Sequence, residues 1–156
     1  MPEILDQPPL PAASVGCWLP RSRRSPAEAR RVLEGLLAGT PGGERFADVG
    51  LLLVSELVTN AVLHGTPAGN QVHLVLSVDH ERLRIEVHDA RADRGPVLRA
   101  GSDEDESGRG LILVKSLSLR WGCCPREGVG KIVWAECGPE AAPPALLRAT
   151  AEGCAV

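Results

Sequence analysis

From Phe46 to His64 the chain is apolar at most positions and long enough for several turns of helix. At about 100° per residue, Leu51, Val54, Val58, Ala61 and Val62 share one side and form an ordinary core stripe. Glu56 and Asn60, at i and i+4, lie together on nearly the opposite side, with His64 one turn further along. On a surface helix the neighbours of such a pair are charged; here they are Leu52, Leu53, Leu57 and Leu63. A helix that is apolar on nearly every side is covered on nearly every side. Glu56 and Asn60 are then expected to open into a concavity, where each polar group needs a partner. The alternative is a polar pair on an open helix face. The helix alone leaves the two readings in balance.

The remaining pattern places this helix, expected at about 44–64, within a two-layer α+β sandwich of the α/β class. A strand is expected at 14–19 and a helix at 25–38, with Ser25 as N-cap, Pro26 in the first turn and Glu28 three residues after the cap. After Gly65 and Pro67, strands at 71–78 and 82–89 form a hairpin turning at 79–81. Residues 90–107 have loop composition and no sustained period. A helix at 109–119 and strands at 119–123 and 129–136 complete one mixed, mostly antiparallel sheet, covered on one face by about three helices. Residues 1–11 and 138–156 read as tails around a domain at 12–137.

Two further features carry chemistry. In the second hairpin strand Leu83, Ile85 and Val87 face inward, and Asp89 continues that set. A carboxylate at the end of a core-facing row can only accept hydrogen bonds, so it wants a donor such as the exocyclic amine of a base. A strand-terminal Asp that merely opens a turn is the plainer reading. Ser107-Gly108-Arg109-Gly110 precedes Leu111-Ile112-Leu113-Val114. Glycines at a helix start let backbone N–H groups approach a phosphate, and the helix dipole favours its charge; a lid hinge uses the same residues. Gly130-Lys131 does not complete a phosphate loop, because Pro125 and Ile132 stand where that loop needs glycine and a hydroxyl. The acidic run Asp103-Glu104-Asp105-Glu106 is expected to face water.

A formal charge of −3 argues against an electrostatic nucleic-acid binder. The longest apolar runs fall short of the roughly 20 residues of a membrane span. Cys17, Cys123, Cys124, Cys137 and Cys154 form no CxxC pair and no structural-zinc spacing. The four histidines show no metal-binding pairing. Reduced thiols in the cytoplasm are expected.

A helix with Glu-x-x-x-Asn, a strand ending in Asp and a Gly-x-Gly helix start occur here in one order. That order resembles the N, G1 and G2 boxes of the GHKL (Bergerat) ATPases. Glu56-Leu57-Val58-Thr59-Asn60-Ala61-Val62-Leu63-His64 looks like the N box of the anti-sigma-factor serine kinases, and Gly108-Arg109-Gly110-Leu111 like their G2 box. Gly130-Lys131-Ile132-Val133-Trp134-Ala135-Glu136 looks like their closing strand.

The resemblance implies ATP and Mg²⁺ as ligands. Asn60 would coordinate Mg²⁺, Glu56 would activate a hydroxyl, and Asp89 would accept the adenine amine. His64 and the segment Gly108, Arg109, Gly110 and Leu111 would line the ATP site, with 90–107 as a lid. Asp89-Ala90-Arg91-Ala92-Asp93 lacks the usual G1 glycines, and Ile132 stands where relatives carry a Thr supporting the adenine-binding Asp. The implied activity is phosphorylation of Ser or Thr on a small antagonist protein, with a sigma factor as a further partner and a homodimer as a family habit. The alternative is an inactive ATP-binding module that uses nucleotide as a switch.

Overall fold

The computed structural model describes residues 13–65, 69–89, 106–125 and 130–140, without the side chains of Gly65, residues 106–111 and Pro125. The expected tail at 1–11, residues 141–156 of the tail expected at 138–156, residues 90–105 of the lid expected at 90–107, and Cys154 lie outside the described residues, whereas 106–107 belong to a helix.

Five strands form one sheet in the order β1-β2-β3-β5-β4: β1 (Ala13–Pro20), β2 (Gln71–Val78), β3 (Leu83–Asp89), β4 (Arg120–Pro125) and β5 (Lys131–Cys137). All four pairings are antiparallel. Alternation along β2 drives this: Val72, Leu74, Leu76 and Val78 are buried, while His73, Val75 and Ser77 face the other way. The hairpin between β2 and β3 closes on Asp79, whose Oδ1 accepts from the backbone N–H of Glu81 at 2.7 Å and of Arg82 at 2.9 Å. An Asx turn of this kind mimics a backbone turn.

Helices α1 (Ser25–Ala38), α2 (Ala47–Asn60) and α3 (Glu106–Leu117) form the second layer. In α1, Ala29, Leu33 and Leu37 recur at i, i+4 and i+8 and are buried. Ser25 is not the cap expected of it. Arg24 holds that position without a side-chain cap bond, and the buried Ser25 hydroxyl donates back to the carbonyl of Pro20 instead. That bond ties the end of β1 to the start of α1. The turn after α1 is tight: a Cβ on Gly43 would lie 2.2 Å from the Leu37 carbonyl oxygen, which only glycine avoids.

α2 is the middle helix, packed between α1 and α3 and against β3 and β5. A 3₁₀ turn (Gly43–Phe46) precedes it and a π-helical turn (Ala61–Gly65) follows, so the helical run is continuous from 43 to 65. By length and hydropathy alone Gly43–His64 meets the requirement of a membrane span, contrary to the expectation from its sequence. Here it is the core helix. Its buried stripe is Leu53, Val54, Leu57, Val58, Ala61 and Val62, with Leu51 only half-buried. Leu52 and Leu63, expected to be covered, are 39% and 46% exposed. The inference of cover on nearly every side therefore holds for Leu53 and Leu57 alone, because two neighbouring layers enclose only part of a cylinder.

On the sheet face away from the helices, Trp18 stacks on His73 at 4.3 Å between ring centroids. Arg84 lies over the Trp134 ring at 4.4 Å. The guanidinium groups of Arg120, Arg82 and Arg84 converge on Glu136, which is 3% exposed. A cleft of about 330 Å³ lined by Arg82, Leu119, Arg120 and Glu136 lies at the opposite end of the sheet from Asp89.

Candidate functional site

Asp89 faces inward as the parity of β3 requires, and it is 1% exposed. Its cross-strand partner in the β3–β5 register is Lys131, and Lys131 Nζ stands 3.2 Å from Asp89 Oδ2. Lys131 is 7% exposed at its side chain. A buried carboxylate is tolerated only with a counter-charge or hydrogen bonds, and Lys131 supplies both. Cys123 of β4 shares this inward face. Burial pushes its thiol up, Lys131 works against that, and Asp89 and Cys124 add to it. The thiol therefore lies within electrostatic reach of the pair.

In the sequence Lys131 was weighed only as part of a rejected phosphate loop and of the closing strand, and it was given no role at the site. The signal was available: Val133 and Ala135 face inward, and the same period of two carries back to Lys131. It also overturns the role expected at position 132. Ile132 pairs with His88 and lies on the far face of the sheet, where it cannot support Asp89.

Glu56 and Asn60 sit one turn apart on α2, both half-buried. Partial loss of hydration pushes the Glu56 carboxyl above its ordinary value. The π-helical turn starts directly after Asn60, and such turns occur often at functional sites. It packs against β3, the strand that ends in Asp89, and it carries His64, which is exposed.

α3 packs against α2. It starts at Glu106, three residues before the sequence pattern places it, so Gly108 and Gly110 lie inside the helix rather than in a turn ahead of it. The side chains of Arg109 and Leu111 lie outside the described residues. Among the described residues no group of three His, Cys, Asp or Glu side chains is placed to hold a metal ion.

Residues 19–136 match the family model of the histidine kinase-like ATPase domain. The chain belongs to that family. The match spans the sheet from the end of β1 to β5 and all three helices of the histidine kinase-like ATPase domain described here. ATP binding is the property the family brings to this chain. No curated protein matches the chain.

Proposed function

We infer that this histidine kinase-like ATPase domain binds Mg-ATP and transfers the γ-phosphoryl group to a serine or threonine of a small partner protein. One observation carries the reading: Glu56 is a desolvated carboxyl with a raised pKa, one helical turn before Asn60 on a helix that packs against the Asp89 strand. A base works best when its pKa approaches the working pH. Glu56 takes the proton of the attacking hydroxyl while that oxygen bonds to the γ-phosphorus and the bridging P–O bond breaks to release ADP.

The donors present suit Mg²⁺. It prefers hard oxygen ligands and keeps several waters, so the amide oxygen of Asn60 together with phosphate oxygens meets its needs without a protein cage. Bound there, Mg²⁺ would neutralise developing phosphate charge. Asp89 would accept from the adenine amine, and His64 with Gly108, Arg109, Gly110 and Leu111 would border the phosphates. A partner of the sigma-factor or anti-sigma-antagonist kind, in the cytoplasm, fits this chemistry; the described cysteines are unpaired thiols.

A nucleotide-operated switch without transfer is the second reading. It is favoured by the position of Gly110 past the first turn of α3, where the helix's own carbonyls take up the N–H. Calorimetric titration of Mg-ATP, paired with phosphoryl transfer to partner proteins, separates the two. Glu56→Gln keeps ATP binding in both and loses transfer only in a kinase. Asn60→Ala loses Mg-ATP affinity in both. Equal, strong binding by wild type and Asn60→Ala would remove Asn60 from the site.

A further inference from the structure

We propose that the cleft at Glu136 is a docking site for an acidic segment of a partner protein, in which a carboxylate next to an apolar residue binds Arg82 and Arg120. The cleft lies at the end of the sheet away from Asp89, so it stands apart from the nucleotide reading.

The cleft has a volume of about 330 Å³ and is lined by Arg82, Leu119, Arg120 and Glu136. That is the low end for ligand cavities, roughly 300–1,000 Å³, and suits a pair of side chains. Arg120 Nη2 stands 2.6 Å from Glu136 Oε1 and 3.2 Å from Oε2. Arg82 Nη1 is 3.3 Å from Oε2, and Arg84 Nη1 is 3.4 Å from Oε1. Arg84 also pairs with Glu86 at 3.0 Å. Three guanidiniums therefore share two carboxylates, and the cluster keeps one positive charge uncompensated. Asp79 and Glu81 of the nearby hairpin do not line the cleft. A singly charged carboxylate brings the cluster to neutrality, whereas a phosphate dianion overshoots it. Charge complementarity favours the carboxylate.

The donors for it are in place. A guanidinium carries five N–H groups and no acceptor. Arg82 and Arg120 each commit one nitrogen to Glu136; among the described residues Nε and the other Nη of each make no hydrogen bond. Both side chains reach solvent, at 46% and 63% exposure. The heads are held before any ligand arrives, by Glu136 and, for Arg120, by the Trp134 ring at 5.9 Å. A planar fork fixed in advance matches a carboxylate and loses little freedom on binding it. Leu119, 68% exposed, forms the apolar wall. An apolar neighbour of the bound carboxylate covers that wall and shields the ion pair from water.

The test is selection of random short peptides on the immobilised 156-residue chain, followed by calorimetric titration of the recovered sequences. Peptides with Asp or Glu beside Leu, Ile, Val or Phe are expected. Replacing the acid by its amide in the peptide is expected to weaken binding by about tenfold or more, and so is Arg120→Met in the protein. Recovery of no peptide, or of peptides without acidic residues, overturns the proposal. So does an acidic peptide that Arg120→Met, folded by circular dichroism, binds as tightly as wild type. Displacement by inorganic phosphate but not by acetate overturns the choice of a carboxylate. Competition between the peptide and Mg-ATP places the peptide in the nucleotide site and overturns the docking site, while a chain that binds the peptide but no Mg-ATP supports it and defeats only the ATP reading. Should Arg120→Met fail to fold, Arg82→Met takes its place under the same criterion.

Discussion

Gly50 of α2 lies against Leu83 of β3 at a distance that leaves no room for a side chain: a Cβ on Gly50 would come 2.6 Å from Leu83 Cδ2 and 3.3 Å from Leu33 Cδ2. Leu33 and Leu83 are both fully buried. This contact sets how near the central helix comes to the sheet, and so the height of Glu56 and Asn60 above the strand that carries Asp89.

Gly50→Val is therefore expected to destabilise the fold by about 1–3 kcal/mol through overpacking, exceeding any gain from removing a helical glycine. Urea denaturation measures it. Leu83→Ala in the same background should cost less than the sum of the two single changes, because the second mutation vacates the space the first one needs. Strict additivity would show that the two side chains do not meet.

Asp89→Asn removes the carboxylate from a lysine that is nearly as buried as the aspartate itself. Breaking a buried pair from one side costs roughly 3–5 kcal/mol. The double variant Asp89→Leu/Lys131→Met, which takes away both charges, should be more stable than Asp89→Asn alone. A chemical-denaturation series ranks the three proteins; if the single change proves harmless, the pair does not stabilise the fold.

Glu136 sets an acid limit on stability. Burial pushes its carboxyl up, but the hydrogen bond and charge of Arg120, the hydrogen bond of Arg82 and the charge of Arg84 outweigh burial and hold it below the usual carboxylate range. A folded-state value below the unfolded one means stability that is present above the unfolded pKa and lost as pH falls through the folded one. Glu136→Gln should cost roughly 1–2 kcal/mol at neutral pH, at the low end for an ionic contact because Arg120 and Arg82 keep access to water. Melting curves of the two proteins should converge as pH drops below about 4.

Glu56 has the opposite sign. Its folded-state pKa is raised by desolvation, so wild type loses stability as pH rises from the unfolded value through the folded one. Glu56→Gln is expected to raise the melting temperature at pH 7 while removing transfer, and the gain should vanish in acid, where wild-type Glu56 is protonated. A variant no more stable than wild type at pH 7 would mean the carboxyl is well solvated. Stability given up at a reactive group is common in active sites.

Period and punctuation in the sequence were enough for β2, β3 and α1, the hairpin at Asp79 and the inward direction of Asp89, because each depends on neighbours a few residues away. The Glu56/Asn60 pairing on one helix face was equally local. What lay opposite Asp89 was not. Lys131 is 42 positions further along, and its place across from Asp89 is decided by the antiparallel register of β3 with β5, which no local pattern encodes. A one-residue step along a strand exchanges its two faces, which is why the supporting place was assigned to position 132, where isoleucine lacks the hydroxyl, and falls to Lys131 instead. The exposure of Leu52 and Leu63 was likewise settled by which surfaces the other elements cover. Local chemistry named the acid, the amide and the carboxylate; only the packing of distant strands supplied the lysine beside Asp89.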